Sequence, residues 1–247
     1  MELCVAEAGA GRCCGGLPES GFGRWAAQGP HQAPRVCSVR DMNRETRRAR
    51  AIAAFWRQFE IAAPNLAAIS SADHPVYDEV LEHLHAVEPG LYFEFSNSDR
   101  LCELIITADG NADLFAAARE VVASAPVVEG WDIRALKPKL GFPERVQWEG
   151  VELDLTGLRF SSLERDGTDD LGLVIFVPGL AKKDIDATHN AILRLLDHGL
   201  GEERAAAAIQ HTEVAPLPFG APPDETIALV DLERFLDWRC RRGTDVD

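Results

Sequence analysis

His189 is the residue of this chain whose setting comes closest to a catalytic one. It follows Ile185 by four positions and precedes Ile192 by three, which puts it on the apolar face of a helix. Asp186 stands one turn back and Asn190 beside it, so the spacing offers an imidazole oriented by a carboxylate and acting as a general base. The competing reading is a core histidine bonded to backbone. The loop from Lys137 to Pro143 offers binding instead. Lys137 and Lys139 are held apart by Pro138, and Phe142 forms an apolar tip between Gly141 and Pro143, a combination suited to a partner or an anionic ligand. The same loop is a plain connector if Phe142 turns inward.

Other candidates have sufficient structural explanations. His83 and His85 are two apart, so on a helix they point about 200° from one another and cannot chelate one ion. Glu82 with His85 has workable spacing but reads as a solvated pair. His198 closes a helix, where an imidazolium suits the carboxyl-terminal dipole. Cys102 lies in a strand on the side of Leu104 and Ile106 and reads as a packing thiol, and Cys240 sits among Arg239, Arg241 and Arg242. The acidic turn Asp166-Gly167-Thr168-Asp169-Asp170 lacks the spacing and closing glutamate of an EF-hand. The chain has no phosphate-binding glycine loop, nucleophile elbow, His-Glu-x-x-His or Cys-x-x-Cys, so neither a metal centre nor a cofactor is expected.

Charge narrows the partners. Forty acids against 25 bases give −15, and the first 41 residues balance, with Arg12, Arg24, Arg35 and Arg40 against Glu2, Glu7, Glu19 and Asp41. Residues 42–57 hold five arginines against Glu45 alone, so the remaining body is more acidic than the total suggests. Such a body repels phosphate backbones, and nucleic acid is not an expected partner. The apolar stretch from Leu171 to Ala181 is about half the length of a membrane span and contains Pro178 and Gly179, so no membrane association is expected.

The elements that must position these residues follow from periodicity. Residues 1–41 are dense in Gly, Pro and Cys and show neither helical nor strand period, so they are expected to be a disordered or spurious extension, with the protein proper beginning at Met42. Ile52, Phe55, Trp56 and Phe59 mark a helix over 44–61 with an aromatic docking face, ending before Pro64. Pro75 opens a helix over 75–87. Residues 91–107 read as a β-hairpin whose second strand, with its Leu104-Ile105-Ile106 run, is central. A helix over 112–124 and a strand over 131–136 follow. A wet-faced strand at 151–156, a second hairpin over 158–177, a helix over 184–198 capped by Gly199, a short Ala-rich helix, a strand near 212–214 and a helix near 231–242 complete the chain. The fold class is α+β: two hairpin-helix-strand units, 42–143 and 144–247, forming antiparallel sheets with helices packed on one face.

Three segments also carry a resemblance. Glu103-Leu104-Ile105-Ile106-Thr107-Ala108-Asp109-Gly110, then Gly130-Trp131 with Ala135-Leu136-Lys137-Pro138, and later Leu196-Asp197-His198-Gly199-Leu200-Gly201-Glu202 resemble the corresponding parts of a family of uncharacterised bacterial proteins. The resemblance spans about residues 50–240 and implies a bacterial, cytoplasmic setting without implying an activity. The leading expectation is a non-enzymatic binding or regulatory protein that turns an acidic surface toward a basic protein partner. The alternatives are a small hydrolase-like enzyme with His189 and Asp186 between the units, and a self-associating structural module.

Overall fold

In the computed structural model, which describes residues 4–5, 39–68, 74–96, 101–148, 150–164, 168–217 and 226–244, the aromatic stripe of the first helix is the floor of a core. Helix α1 (Val39–Ala68) buries Ile52, Phe55, Trp56 and Phe59, as their spacing predicts. The Trp56 indole donates to the Val121 carbonyl at 2.9 Å, and Arg48 pairs with Glu88 and Glu120, so part of the basic face is folded against the acidic body. The helix does not stop before Pro64. It continues to Ala68 because Ala62, Ala63 and Leu66 are buried around the proline, and that packing offsets the lost backbone bond. Helix α2 (Pro75–His85) starts at Pro75, with the His74 side chain accepting the Val76 N–H.

The first sheet has the order β1-β2-β3-β4, made by β1 (Cys4–Val5), β2 (Tyr92–Ser96), β3 (Cys102–Thr107) and β4 (Trp131–Ala135). β3 is central, with Leu104 and Ile106 fully buried, as its continuous apolar run requires. Helix α3 (Phe115–Ala123) connects β3 to β4, and the two strands are parallel. The second sheet has the order β10-β7-β8-β9: β7 (Arg159–Glu164) and β8 (Leu171–Val177) form the hairpin, β9 (His211–Pro216) lies parallel to β8, and β10 (Ile227–Ala228) pairs with β7. Between β8 and β9 run α4 (Ile185–Leu200) and α5 (Glu202–Ala208), and α6 (Leu232–Thr244) closes the described chain. A separate hairpin joins β5 (Arg145–Trp148) to β6 (Val151–Asp154). The hydrophobic residues gather into two cores, one beneath each main sheet.

The α+β class is thus present, and the pairing refines it. Both main sheets are mixed, because a strand that returns after a helical crossover lies parallel to the one it left. β5 was invisible to periodicity, since Arg145-Val146-Gln147-Trp148 is short and stands alone as a strand signal until β6 pairs with it. The ladder of Cys4 and Val5 with Phe95 and Glu94 is likewise absent from any period in the first 41 residues. Cys13, Cys14, Cys37, Asp166 and Gly167 lie outside the described residues. Among the described residues no helix is long and apolar enough to cross a membrane.

Candidate functional site

Three segments distant in sequence, 103–110, 135–138 and 196–202, converge on one buried carboxylate. Glu202, at the start of α5, is 0% exposed and accepts four hydrogen bonds: from the Thr107 hydroxyl at 2.8 Å and from the backbone N–H groups of Ala108 (2.9 Å), Gly110 (3.1 Å) and Lys137 (3.0 Å). The end of β3 is folded to aim those donors, with Asp109 in the left-handed region at φ +49° and its N–H capped by Thr107. Leu136 adopts φ +65°, a conformation that costs a branched side chain on the order of 1–3 kcal/mol, and is held by its N–H to the Ile106 carbonyl. A fully buried charge with this many donors is satisfied, which is the condition for its persistence in a core.

Beside Glu202 lies an ion cluster. The Lys137 side chain, 10% exposed, reaches Asp197 at 3.1 Å, Glu94 at 3.3 Å and Asp109 at 3.4 Å. Arg194 reaches Glu94 at 3.0 Å, and its guanidinium stacks 3.8 Å from the centre of the Trp148 ring. Burial opposes the charge on Lys137, but Glu94, Asp197 and Asp109 outweigh it and hold the ammonium above its usual range. Burial also pushes Asp197 up to about 6, against the pull of Lys137. The two shifts have different causes: several anions around one lysine overcome its burial, whereas burial of Asp197, helped by the neighbouring Glu202 and Asp109 charges, overcomes its one shared cation. The cluster therefore ties β2 and the ends of β3 and β4 to α4 and α5.

The cationic loop is accordingly only partly the surface expected from sequence. Lys137 is committed to the cluster, and Lys139 is exposed and pairs with Glu233. Phe142 is not an exposed apolar tip. It is half-buried, and a Cβ at Gly199 would lie 2.2 Å from its ring. That contact explains why Gly199 lies inside α4 instead of capping it. The helix ends at Leu200, and its cap is Gly201, two residues after Gly199, with φ +83°. His198 Nδ1 donates to the Gly141 carbonyl and the Leu140 N–H to the His198 carbonyl, so the loop is pinned along the end of α4.

His189 lies half-buried on α4 and donates from Nε2 to the Thr212 carbonyl on β9 at 3.0 Å. Asp186 is exposed, and no described hydrogen bond or ion pair joins it to His189. Cys102 is buried and Cys240 exposed, both as free thiols. No group of three or more His, Cys, Asp or Glu among the described residues is arranged to hold a metal ion.

Two grooves stand out among the described residues. One, of about 420 Å³, lies between β10 and α6 and is walled by Ile227, Phe235 and Trp238 with Asp231 and Arg234 at its rim. The other, of about 540 Å³, lies past the carboxyl end of β4, against α3 and α5. The chain matches no protein-family model, no curated protein and no solved structure.

Proposed function

We propose that the protein is a non-enzymatic, cytoplasmic binding or regulatory protein that receives a basic protein partner on the face formed by β10 and α6. The exposure of apolar side chains there carries this reading: Trp238 is 46% exposed, Ile227 38% and Val230 52%, beside the half-buried ring of Phe235. Large aromatic side chains grouped around a shallow apolar groove supply the anchor contacts of protein interfaces. Of the arginines on α6, Arg239 pairs with Glu164, Arg242 stacks on the Trp238 ring and Arg234 lines the groove beside Asp231, while the net charge of −15 over the whole chain favours the long-range approach of a basic partner over an acidic one. The shared order of hairpin, helix and parallel strand in both sheets further supports a duplicated unit, divided near residue 143.

The test is affinity capture from the native host by the full chain and by Trp238→Glu, at low and high salt. The reading expects a basic protein retained by the parent chain, released by salt and lost with Trp238→Glu while the variant keeps its thermal transition. Equal retention by both chains overturns the assignment of this face, and recovery of only a second copy of the chain replaces it with self-association.

A further inference from the structure

The groove past the end of β4 has a lining opposite in sign to the chain that builds it. Arg119 from α3, Arg134 from β4, Lys139 from the following loop and Arg204 from α5 all face it, with Glu203 as its one acidic lining residue. Four separate elements thus bring cations to one place in a protein of net charge −15. Its position adds a second observation. The groove lies at the carboxyl end of a strand that pairs in parallel, where the crossover helices diverge and open sheets leave room for ligands. Its backbone wall includes Leu136 in the left-handed region, a conformation that concentrates at sites where geometry is over-determined. A volume of about 540 Å³ falls in the range that holds a small molecule.

We infer that this groove binds a small polyanion carrying phosphate groups, held by the guanidinium groups of Arg119, Arg134 and Arg204 and the Lys139 ammonium. Planar guanidinium groups match phosphate oxygens in pairs and keep their charge at every physiological pH. Each cation already has a carboxylate partner. Arg119 pairs with Glu203 at 2.7 Å, Arg134 with Glu103 at 3.2 Å and with Asp132, Arg204 with Glu233 at 2.7 Å and with Asp237, and Lys139 with Glu233. These are surface pairs, exposed or part-buried, individually weak and open to exchange. A ligand phosphate therefore binds by displacing them, and its main competitor is Glu233, the carboxylate that Lys139 and Arg204 share. The same two cations hold the Glu233 carboxyl below its usual range, in keeping with a site that stabilises negative charge. Because α6 carries Glu233 and Asp237 on one side and Trp238 on the other, occupancy of the groove frees acids on the helix that forms the proposed partner face.

The test is titration calorimetry of the full chain with inorganic pyrophosphate at low salt, with inorganic phosphate as a second arm to separate a polyanion site from a single-phosphate site. The expected result is saturable 1:1 binding of pyrophosphate, at least tenfold tighter than phosphate. Arg204→Gln should weaken it at least tenfold, Lys182→Gln with Lys183→Gln should leave it unchanged, and Glu233→Gln should tighten it severalfold by removing the competing carboxylate. Lys139→Gln provides a second loss-of-binding variant if Arg204→Gln is unstable. Absence of saturable pyrophosphate binding overturns the inference. So does equal weakening by the Lys182 and Lys183 substitutions, or a Glu233→Gln variant that binds no tighter than the parent chain.

Discussion

Lys137 and Glu202 bind each other twice: the Lys137 N–H donates to the Glu202 side-chain carboxylate, and the Glu202 N–H donates to the Lys137 carbonyl, both at 3.0 Å. This reciprocal pair joins the exit of β4 to the entry of α5. Replacing the carboxylate with an amide sets an NH2 group against donors that all need an acceptor, so Glu202→Gln is more disruptive than its size suggests. It should cost about 3 kcal/mol or more in urea unfolding, against about 1–2 kcal/mol for Thr107→Val, which removes one donor to the carboxylate and the acceptor of the Asp109 N–H and leaves the other three donors in place. A Glu202→Gln chain as stable as the parent would show that the carboxylate is not the junction's anchor.

Gly199 and Phe142 make a steric pair with an unusual sign. Alanine in place of a glycine within a helix ordinarily stabilises by about 0.5–1 kcal/mol. Here the added Cβ would meet the Phe142 ring, so Gly199→Ala should destabilise by about 1–3 kcal/mol. Combining it with Phe142→Leu should recover part of that loss, a non-additivity that a thermal-denaturation cycle measures. Simple additivity would place the ring elsewhere.

Asp197 sets a pH signature. Its carboxyl titrates at about 6 when folded and near its ordinary value of 3.8 when unfolded. Between those values the native state holds a proton that the unfolded chain has released, so this group's contribution to stability falls as pH rises from about 4 to 6. Asp197→Asn removes that proton linkage. The difference in unfolding free energy between parent and variant should therefore move in the variant's favour across this window and level off above it, as read by urea titrations at pH 4, 5, 6 and 7. A difference independent of pH would contradict the assignment.

Much of this architecture was legible because its signals are local. The stripe of Ile52, Phe55, Trp56 and Phe59 marks a buried helical face by spacing alone, and Leu104-Ile105-Ile106 marks a central strand. What escaped depends on contacts distant in sequence. Glu94, Asp109, Lys137, Arg194, Asp197 and Glu202 form one network from positions spread over more than a hundred residues, and only Arg194, Asp197 and Glu202 share a short window. Pro64 misled because a proline's cost is local whereas the packing that offsets it comes from the core, and Gly199 misled because a glycine near a helix end suggests a cap before it suggests a neighbour's ring.

The central functional claim is that a protein partner sits against Trp238. Photo-crosslinking from residue 238 in the native host tests it most directly, with positions 230 on the same face and 127, an exposed apolar position outside it, as comparisons. The predicted result is one shared protein adduct from 238 and 230, absent from 127 and identified by mass spectrometry as a basic protein. Adducts of equal yield from all three positions, or none from 238, would contradict the account.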